Sequence, residues 1–434
     1  MPSLTRVIVV LLAALILLPA FASPASAAGM PNSLRLTATY DVAATLNWGK
    51  SKLIVASTAL VTNGTEDVVE AVTFNLAPAK IGHMKLKEVR VGDVPVAVTR
   101  SGQTLSMTLP TPLGPAEQVA IAIRYVAFFG STGTDKQWLF TKANGIATAY
   151  RWIPWLSKQV AFKRPNIGDP FVTGVSSKVR VSLTSDRALT YATSGVLTGV
   201  KGLTQTFEAD NVRDFNFTAS PKYLTRSSTW EGVEITVYYR NLPSAKLLDW
   251  TTAALKRFSN KVGPYPYPTL SVAEVPFGQG MESPGLVWIS QTTSSGSRKF
   301  ITVHEVAHQW FYGVVGNDQT EQPFTDEAMA EFLTRDMLGH RASKCPLATL
   351  DSSIYEYTGA CYYEIIYVQG DAYLNAYRLK VGDAAFWAGV QSYYQTYGFS
   401  ITGIRQLLDI LDQAAPPELA GGHAERFPRT YVPV

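Results

Sequence analysis

The sequence predicts an α+β chain in two folded parts: an antiparallel β domain of sandwich or saddle form, then a mostly helical domain with a small β-sheet. Three observations lead there. At 434 residues, 46% of them hydrophobic, the chain is long enough for two or three packed domains. From Leu34 to about Thr225, β-branched alternation is cut by turn clusters such as Asn63-Gly64 and Ser101-Gly102. A helical period first enters at Ser244 to Val262, on Leu247, Leu248, Trp250, Leu255 and Phe258.

Taken in order, the chain opens with one positive charge at Arg6, a run of twelve apolar residues from Val7 to Leu18, and the small-x-small site Ala25-Ser26-Ala27. Residues 1–28 read as a secretory signal peptide; kept uncleaved, the same run would be an anchor. Cleavage predicts a secreted protein with no stable membrane insertion. In that oxidising setting Cys345 and Cys361, the only cysteines, are expected to pair. The expected divisions are a β domain over 29–225, a catalytic domain over 226–412 and a surface tail over 413–434, where Ala, Pro and Gly replace periodicity.

Charge excludes some functions. With 38 basic and 34 acidic residues the net charge is +4, and charged residues are only 17% of the chain. That gives no nucleic-acid footprint and no polybasic membrane patch. Nothing in the composition specifies an oligomeric state. Five histidines and two cysteines rule out a cysteine-rich zinc framework, so a metal site must use histidine and carboxylate.

Two histidines stand at His304 and His308 with Glu305 between them. On an α-helix, positions i and i+4 share a face, so both imidazoles can bind one zinc ion, while Glu305 is turned about 100° from His304 and can serve a metal-bound water. The other reading is a helix with two surface histidines. Catalytic zinc needs a third protein ligand. Eighteen residues separate His308 from Glu327, which opens an amphipathic segment, Asp326-Glu327-Ala328-Met329-Ala330-Glu331-Phe332-Leu333, and supplies it. Glu331, one turn on, either orients a ligand histidine or is an exposed helix glutamate. Asp326 is expected to serve the helix N-terminus. His83, His340 and His423 receive no role.

These residues resemble the aminopeptidase N family of zinc metallopeptidases, in which the His-Glu-x-x-His helix is followed after eighteen residues by a glutamate ligand. Upstream, Gly278-Gln279-Gly280-Met281-Glu282-Ser283-Pro284 resembles the family's Gly-x-Met-Glu-Asn motif, with Ser283 and Pro284 where the family has asparagine and an aromatic. Gly263-Pro264-Tyr265-Pro266-Tyr267-Pro268 is similar to the stretch preceding that motif. Downstream, Tyr367-Val368-Gln369-Gly370 resembles the catalytic-tyrosine segment, and Arg151-Trp152-Ile153-Pro154 and Asp214-Phe215-Asn216-Phe217 fit the family's β domain.

The resemblance implies a short member without the C-terminal helical domain, whose second part is a thermolysin-like catalytic domain holding one zinc ion. It implies that Glu305 is general base and acid, that Tyr367 stabilises the oxyanion, and that Glu282 binds the free α-ammonium of a peptide substrate. Gly280 and Met281 then offer backbone contacts to that substrate. The alternatives are a zinc endopeptidase with an open cleft and an inactive homologue retained for binding.

Overall fold

The computed structural model describes residues 32–158 and 172–431; the signal peptide expected over 1–28 lies outside them. A β-rich region comes first and helices follow. The largest sheet has eight strands, built around Thr37–Asn47, Lys52–Thr62 and Gln118–Phe128, which pair antiparallel along their whole length. Alternation sets its faces: Val42, Ala44, Leu46, Leu53, Val55 and Val61 are buried while the residues between them point outward. Each buried valine or leucine contributes about 1.5–3 kcal/mol by leaving water.

Two four-stranded antiparallel sheets add further layers, one built on Phe217–Ser220 and Ile146–Ala149, the other on Val69–Asn75 and Thr104–Leu113. Tyr40 of the large sheet stacks on Trp155 of the second at 4.2 Å, and its hydroxyl accepts the Leu156 N–H. One expectation needs correcting. The strand Ser176–Ser185 lies parallel to Thr37–Asn47, so the large sheet is not wholly antiparallel. Parallel pairing needs a long crossover, and the chain between Asn47 and Ser176 provides it, carrying Val69–Asn75, Thr104–Leu113 and Ile146–Ala149 into the smaller sheets before it returns.

The second region starts from a five-stranded sheet ordered Leu224–Trp230, Val233–Tyr239, Thr269–Val275, Leu286–Ser290, Gly280–Ser283. Its middle three strands are parallel, with Leu270, Val272, Leu286, Val287 and Ile289 fully buried, as a sheet covered on both faces requires. Gly280–Ser283 is the antiparallel edge. The strand Leu224–Trp230 spans residue 225 and pairs entirely within this second sheet.

A helix over Ser244–Lys261 buries Leu247, Leu248, Leu255 and Phe258 on one face, with Trp250 only partly covered. It packs on the helix Arg298–Ala307, which also touches the helix Met329–Leu338 and the strands Gly280–Ser283 and Leu286–Ser290. Helices Gly370–Val381, Asp383–Tyr397 and Ile404–Ala414 complete the region. Among the described residues, no helix is long and apolar enough to cross a membrane.

The segment after Ala414 is not the surface tail its composition suggested. Phe427 is fully buried, edge-on to Phe324 at 4.9 Å and Tyr373 at 5.0 Å. His423 bridges Tyr373 and the Asp412 carboxylate, and the Arg426 carbonyl accepts from Leu350 N–H at 2.7 Å. Removing that ring leaves a cavity behind Phe324. Phe427→Ala is therefore expected to cost about 3–5 kcal/mol, read from the urea midpoint; a change under about 1 kcal/mol would mean that the segment is not part of the core.

Candidate active site

All nine cleft residues expected from the sequence line one cleft of about 800 Å³: Gly280, Met281 and Glu282 on the edge strand, His304, Glu305 and His308 on the helix behind it, and Glu327, Glu331 and Tyr367 opposite. The β-rich region adds Gly133 and Trp138 to the same wall. Cys345 and Cys361 lie outside this cleft and are disulfide-bonded, with Cα atoms 5.9 Å apart.

The helix Arg298–Ala307 keeps its geometry one residue further, since His308 N–H still bonds the His304 carbonyl at 3.3 Å. Both rings consequently project together. His304 Nε2 and His308 Nε2 are 3.1 Å apart, and Glu327 Oε2 lies 3.4 Å from the first and 3.3 Å from the second. All three residues are buried. His308 Nδ1 faces the Phe311 carbonyl at 3.0 Å, which can only accept, so the proton sits on Nδ1 and Nε2 offers a lone pair. His304 Nδ1 likewise faces Glu331 Oε2 at 3.4 Å.

Three lone-pair atoms thus meet at one point, and only a positive charge relieves their repulsion. Burial alone would lower His304, yet the Glu327 and Glu331 carboxylates carry it up to about 9. Glu327 is conversely driven below the usual carboxylate range, against its burial, by the two histidines. Tetrahedral zinc with bonds of about 2.0–2.1 Å puts its ligand atoms roughly 3.3 Å apart. The observed triangle fits that ion.

The supports are polar and close. Glu331 Oε1 accepts from Arg335 Nε at 3.0 Å and from Tyr363 hydroxyl at 3.3 Å, leaving Oε2 toward His304. Glu331 is fully buried behind His304, so it is not an exposed helix glutamate. Asp326 is also fully buried, and accepts from Asn317 Nδ2, Gln319 Nε2 and Glu327 N–H.

Two helical turns depart from the regular period. Phe324–Ala328 and Tyr363–Gln369 are π-helical, and they carry Glu327 and Tyr367. They approach closely because Gly370 has no side chain: a Cβ there would lie 2.5 Å from Ala328 Cβ. That contact explains the Tyr-x-x-Gly spacing. It sets the Tyr367 ring 5.6 Å from, and stacked on, that of His304. Burial and the Glu327 carboxylate push the Tyr367 phenol well above its ordinary value, so it stays a donor.

Glu305 is buried and, among the described residues, its Oε2 has no hydrogen-bond partner. Burial first, and the Glu282 carboxylate second, raise its pKa to about 8. Oxygen and nitrogen atoms of Glu282, Glu305 and His308 lie within 4.8 Å of one another. Glu282, 6% exposed, accepts from Gln319 Nε2 at 3.4 Å.

No protein-family model matches the chain, and no curated protein matches it in sequence. Solved structures do match in fold. An M1 zinc metallopeptidase from Deinococcus radiodurans has a TM-score of 0.70 at 22% identity, covering 89% of this chain and 93% of that one. A glutamate-to-alanine mutant of an M1 zinc metallopeptidase from that organism, bound to a Tyr-Ser-Ala substrate, has a TM-score of 0.67 at 21% identity, over 89% and 93%. A two-domain M1 mutant bound to L-arginine gives 0.69 at 21%, with the same coverage.

The fold is that of the two-domain M1 zinc metallopeptidases. Within this M1 fold, several supports are ones that sequence reasoning missed. Gln309, directly after the second histidine, donates to the Ser283 carbonyl at 2.9 Å and accepts from Gly285 N–H at 2.8 Å, tying the edge strand to the helix. Ser283 hydroxyl donates to the Glu282 carbonyl at 2.8 Å and accepts from Asn216 Nδ2 at 2.6 Å, so the serine is bonded into the end of the edge strand. Gln319 and Arg151 form a further chain toward Glu282. Only adjacency to a motif could have signalled Gln309; the others join distant stretches of sequence.

One zinc ion per chain is expected by metal analysis, and His304→Ala should lose it. Glu331→Ala should weaken zinc affinity by about 10–100-fold in chelator competition. Unchanged affinity would remove Glu331 from the orienting role.

Proposed function

We propose that this chain is a secreted zinc aminopeptidase with a thermolysin-like catalytic part, which hydrolyses the first peptide bond of substrates with a free N-terminus. The single observation that carries the reading is the buried carboxylate of Glu282 in the same cleft as the zinc triangle and Glu305. A peptide ammonium is the partner that a buried, accessible carboxylate at that distance suits. Similar M1 structures bound to L-arginine, to L-tryptophan and to a Tyr-Ser-Ala substrate support the same chemistry. The signal-like segment before residue 29 and the paired cysteines are the grounds for secretion.

His304, His308 and Glu327 would hold the metal. Bound zinc supplies Lewis acidity and brings the pKa of its water down toward about 7. Glu305 accepts the proton of the attacking water on its partnerless oxygen and delivers it to the departing amine. Tyr367 donates its phenolic proton in a hydrogen bond to the oxygen that gains charge on the scissile carbonyl. Glu282 fixes the ammonium, so that only the first carbonyl of the peptide meets the water that Glu305 deprotonates. Gly280 and Met281 offer their backbone along the edge strand.

Glu305→Gln is expected to keep stoichiometric zinc and to lose about 10²- to 10⁴-fold in kcat on an aminoacyl anilide. A free-amino peptide should be cleaved while its N-acetylated twin is not; equal cleavage of both would make the enzyme an endopeptidase, and no cleavage of either with zinc bound would make it a binding homologue.

Gly280→Ala tests the space around the base. A Cβ at residue 280 would come within 2.1 Å of Glu305 Oε1, and Gly280 is not among the residues at positive φ. The carboxylate must swing away. The same Cβ would lie 2.6 Å from Ile301 Cγ2, so some loss of Tm is expected too, but the folded, zinc-loaded variant should lose at least about tenfold in kcat; wild-type kcat would show that Glu305 is not held against this strand.

A further inference from the structure

We propose that Gln319 is the positioning residue for Glu282, holding the amine-binding carboxylate in place from behind; the inference rests on the aminopeptidase reading. Glu282 and Glu305 are both buried, with carboxylate oxygens within 4.8 Å of each other. When both are ionised, as catalysis by Glu305 requires, their like charges push Glu282 away from the spot where an ammonium would bridge to it. Something must hold it without cancelling its charge. Gln319, 5% exposed, lies on the far side.

Its amide nitrogen carries two hydrogens and meets two carboxylates. One goes to Glu282 Oε1 at 3.4 Å and the other to Asp326 Oδ2 at 2.8 Å. Its carbonyl oxygen accepts from Arg151 Nη2 at 3.4 Å. Arg151 belongs to the β-rich region and is itself held by Tyr312 hydroxyl at 2.9 Å and by the Asp214 carboxylate at 3.7 Å. Tyr312 in turn donates to Asp214. The orientation of Gln319 is therefore fixed from both ends, and its amide cannot flip without placing two oxygens against each other.

A neutral amide is the right chemistry for this position. A lysine or arginine in contact with Glu282 would neutralise the carboxylate that the substrate needs, whereas an amide orients it and leaves the charge intact. The consequence is specific. Losing Gln319 should weaken recognition of the ammonium and spare the chemical step, which runs through Glu305 and Tyr367.

The test uses the zinc-loaded full chain and Gln319→Met, which keeps length and volume but donates nothing. Calorimetric binding of L-leucinamide should weaken about tenfold, in line with loss of one hydrogen bond to a charged group. KM for an aminoacyl anilide should rise about as much, with kcat within about threefold and zinc content unchanged. N-acetyl-L-leucinamide should bind both proteins equally. If Gln319→Met fails to fold, Gln319→Leu serves the same comparison.

Unaltered leucinamide binding in the variant would overturn the role of Gln319 while leaving the aminopeptidase reading intact. A fall in kcat with KM unchanged, or lost zinc, would overturn it in favour of a structural role beside Asp326. Failure of the wild-type protein to distinguish leucinamide from its acetylated form would remove the aminopeptidase reading, and this inference with it.

Discussion

Three lone-pair atoms brought to within 3.4 Å of one another, in a place water hardly reaches, form an unfavourable arrangement for any chain to fold around. Two imidazole nitrogens and a carboxylate oxygen repel unless a cation, or a trapped proton, lies between them. The raised histidine pKa values are the same fact expressed as affinity for positive charge. Folding of this region and binding of the cation are hence coupled. The surrounding packing makes sense as the framework that holds the donors together: Glu331 behind His304, the Phe311 carbonyl behind His308, and Gly370 admitting the two irregular turns to contact.

A second constraint is that the edge strand must stand at a fixed distance from the helix. Gln309 supplies one tie and the Asn216–Ser283 bond another, the latter reaching in from the β-rich region. Gly133 and Gly278 let aromatic rings cross the same boundary, since a Cβ at either would come within 2.8 Å of Phe277 or Trp138. The two regions are interlocked at the cleft itself, and the β-rich part is a wall of the site as well as a neighbour.

Much of this was readable in the sequence where the determinants are local. The His304–His308 spacing needs only helical geometry, and Glu327 follows at a distance set by one excursion of chain. Glu282 and Tyr367 were readable only through a resemblance, because no periodicity singles out one glutamate in a short edge strand or one tyrosine among several. What stayed hidden was non-local or irregular. Gln319 touches Glu282 and Arg151 across long separations; Phe427 finds Phe324 about a hundred residues away in a segment with no pattern of its own; the parallel pair of the large sheet depends on topology that alternation does not encode. Expecting a regular helix at Glu327 assumed a 3.6-residue period that the chain abandons there.

The two π-helical turns have a consequence for how this molecule tolerates change in length. Each accommodates one residue more per turn than an α-helix, so each behaves as a single-residue insertion absorbed in place. Deleting a residue from either would restore α-helical winding and rotate the side chains on one side of the deletion by about 100° relative to the other. Glu327 would leave the histidines, or Tyr367 would leave the cleft, with composition and hydrophobicity almost untouched. The exposed edge strand Val196–Lys201, which already carries a register shift between Leu197 and Gly199, has no such restriction. Length, more than residue identity, is the property that selection must guard at the two turns.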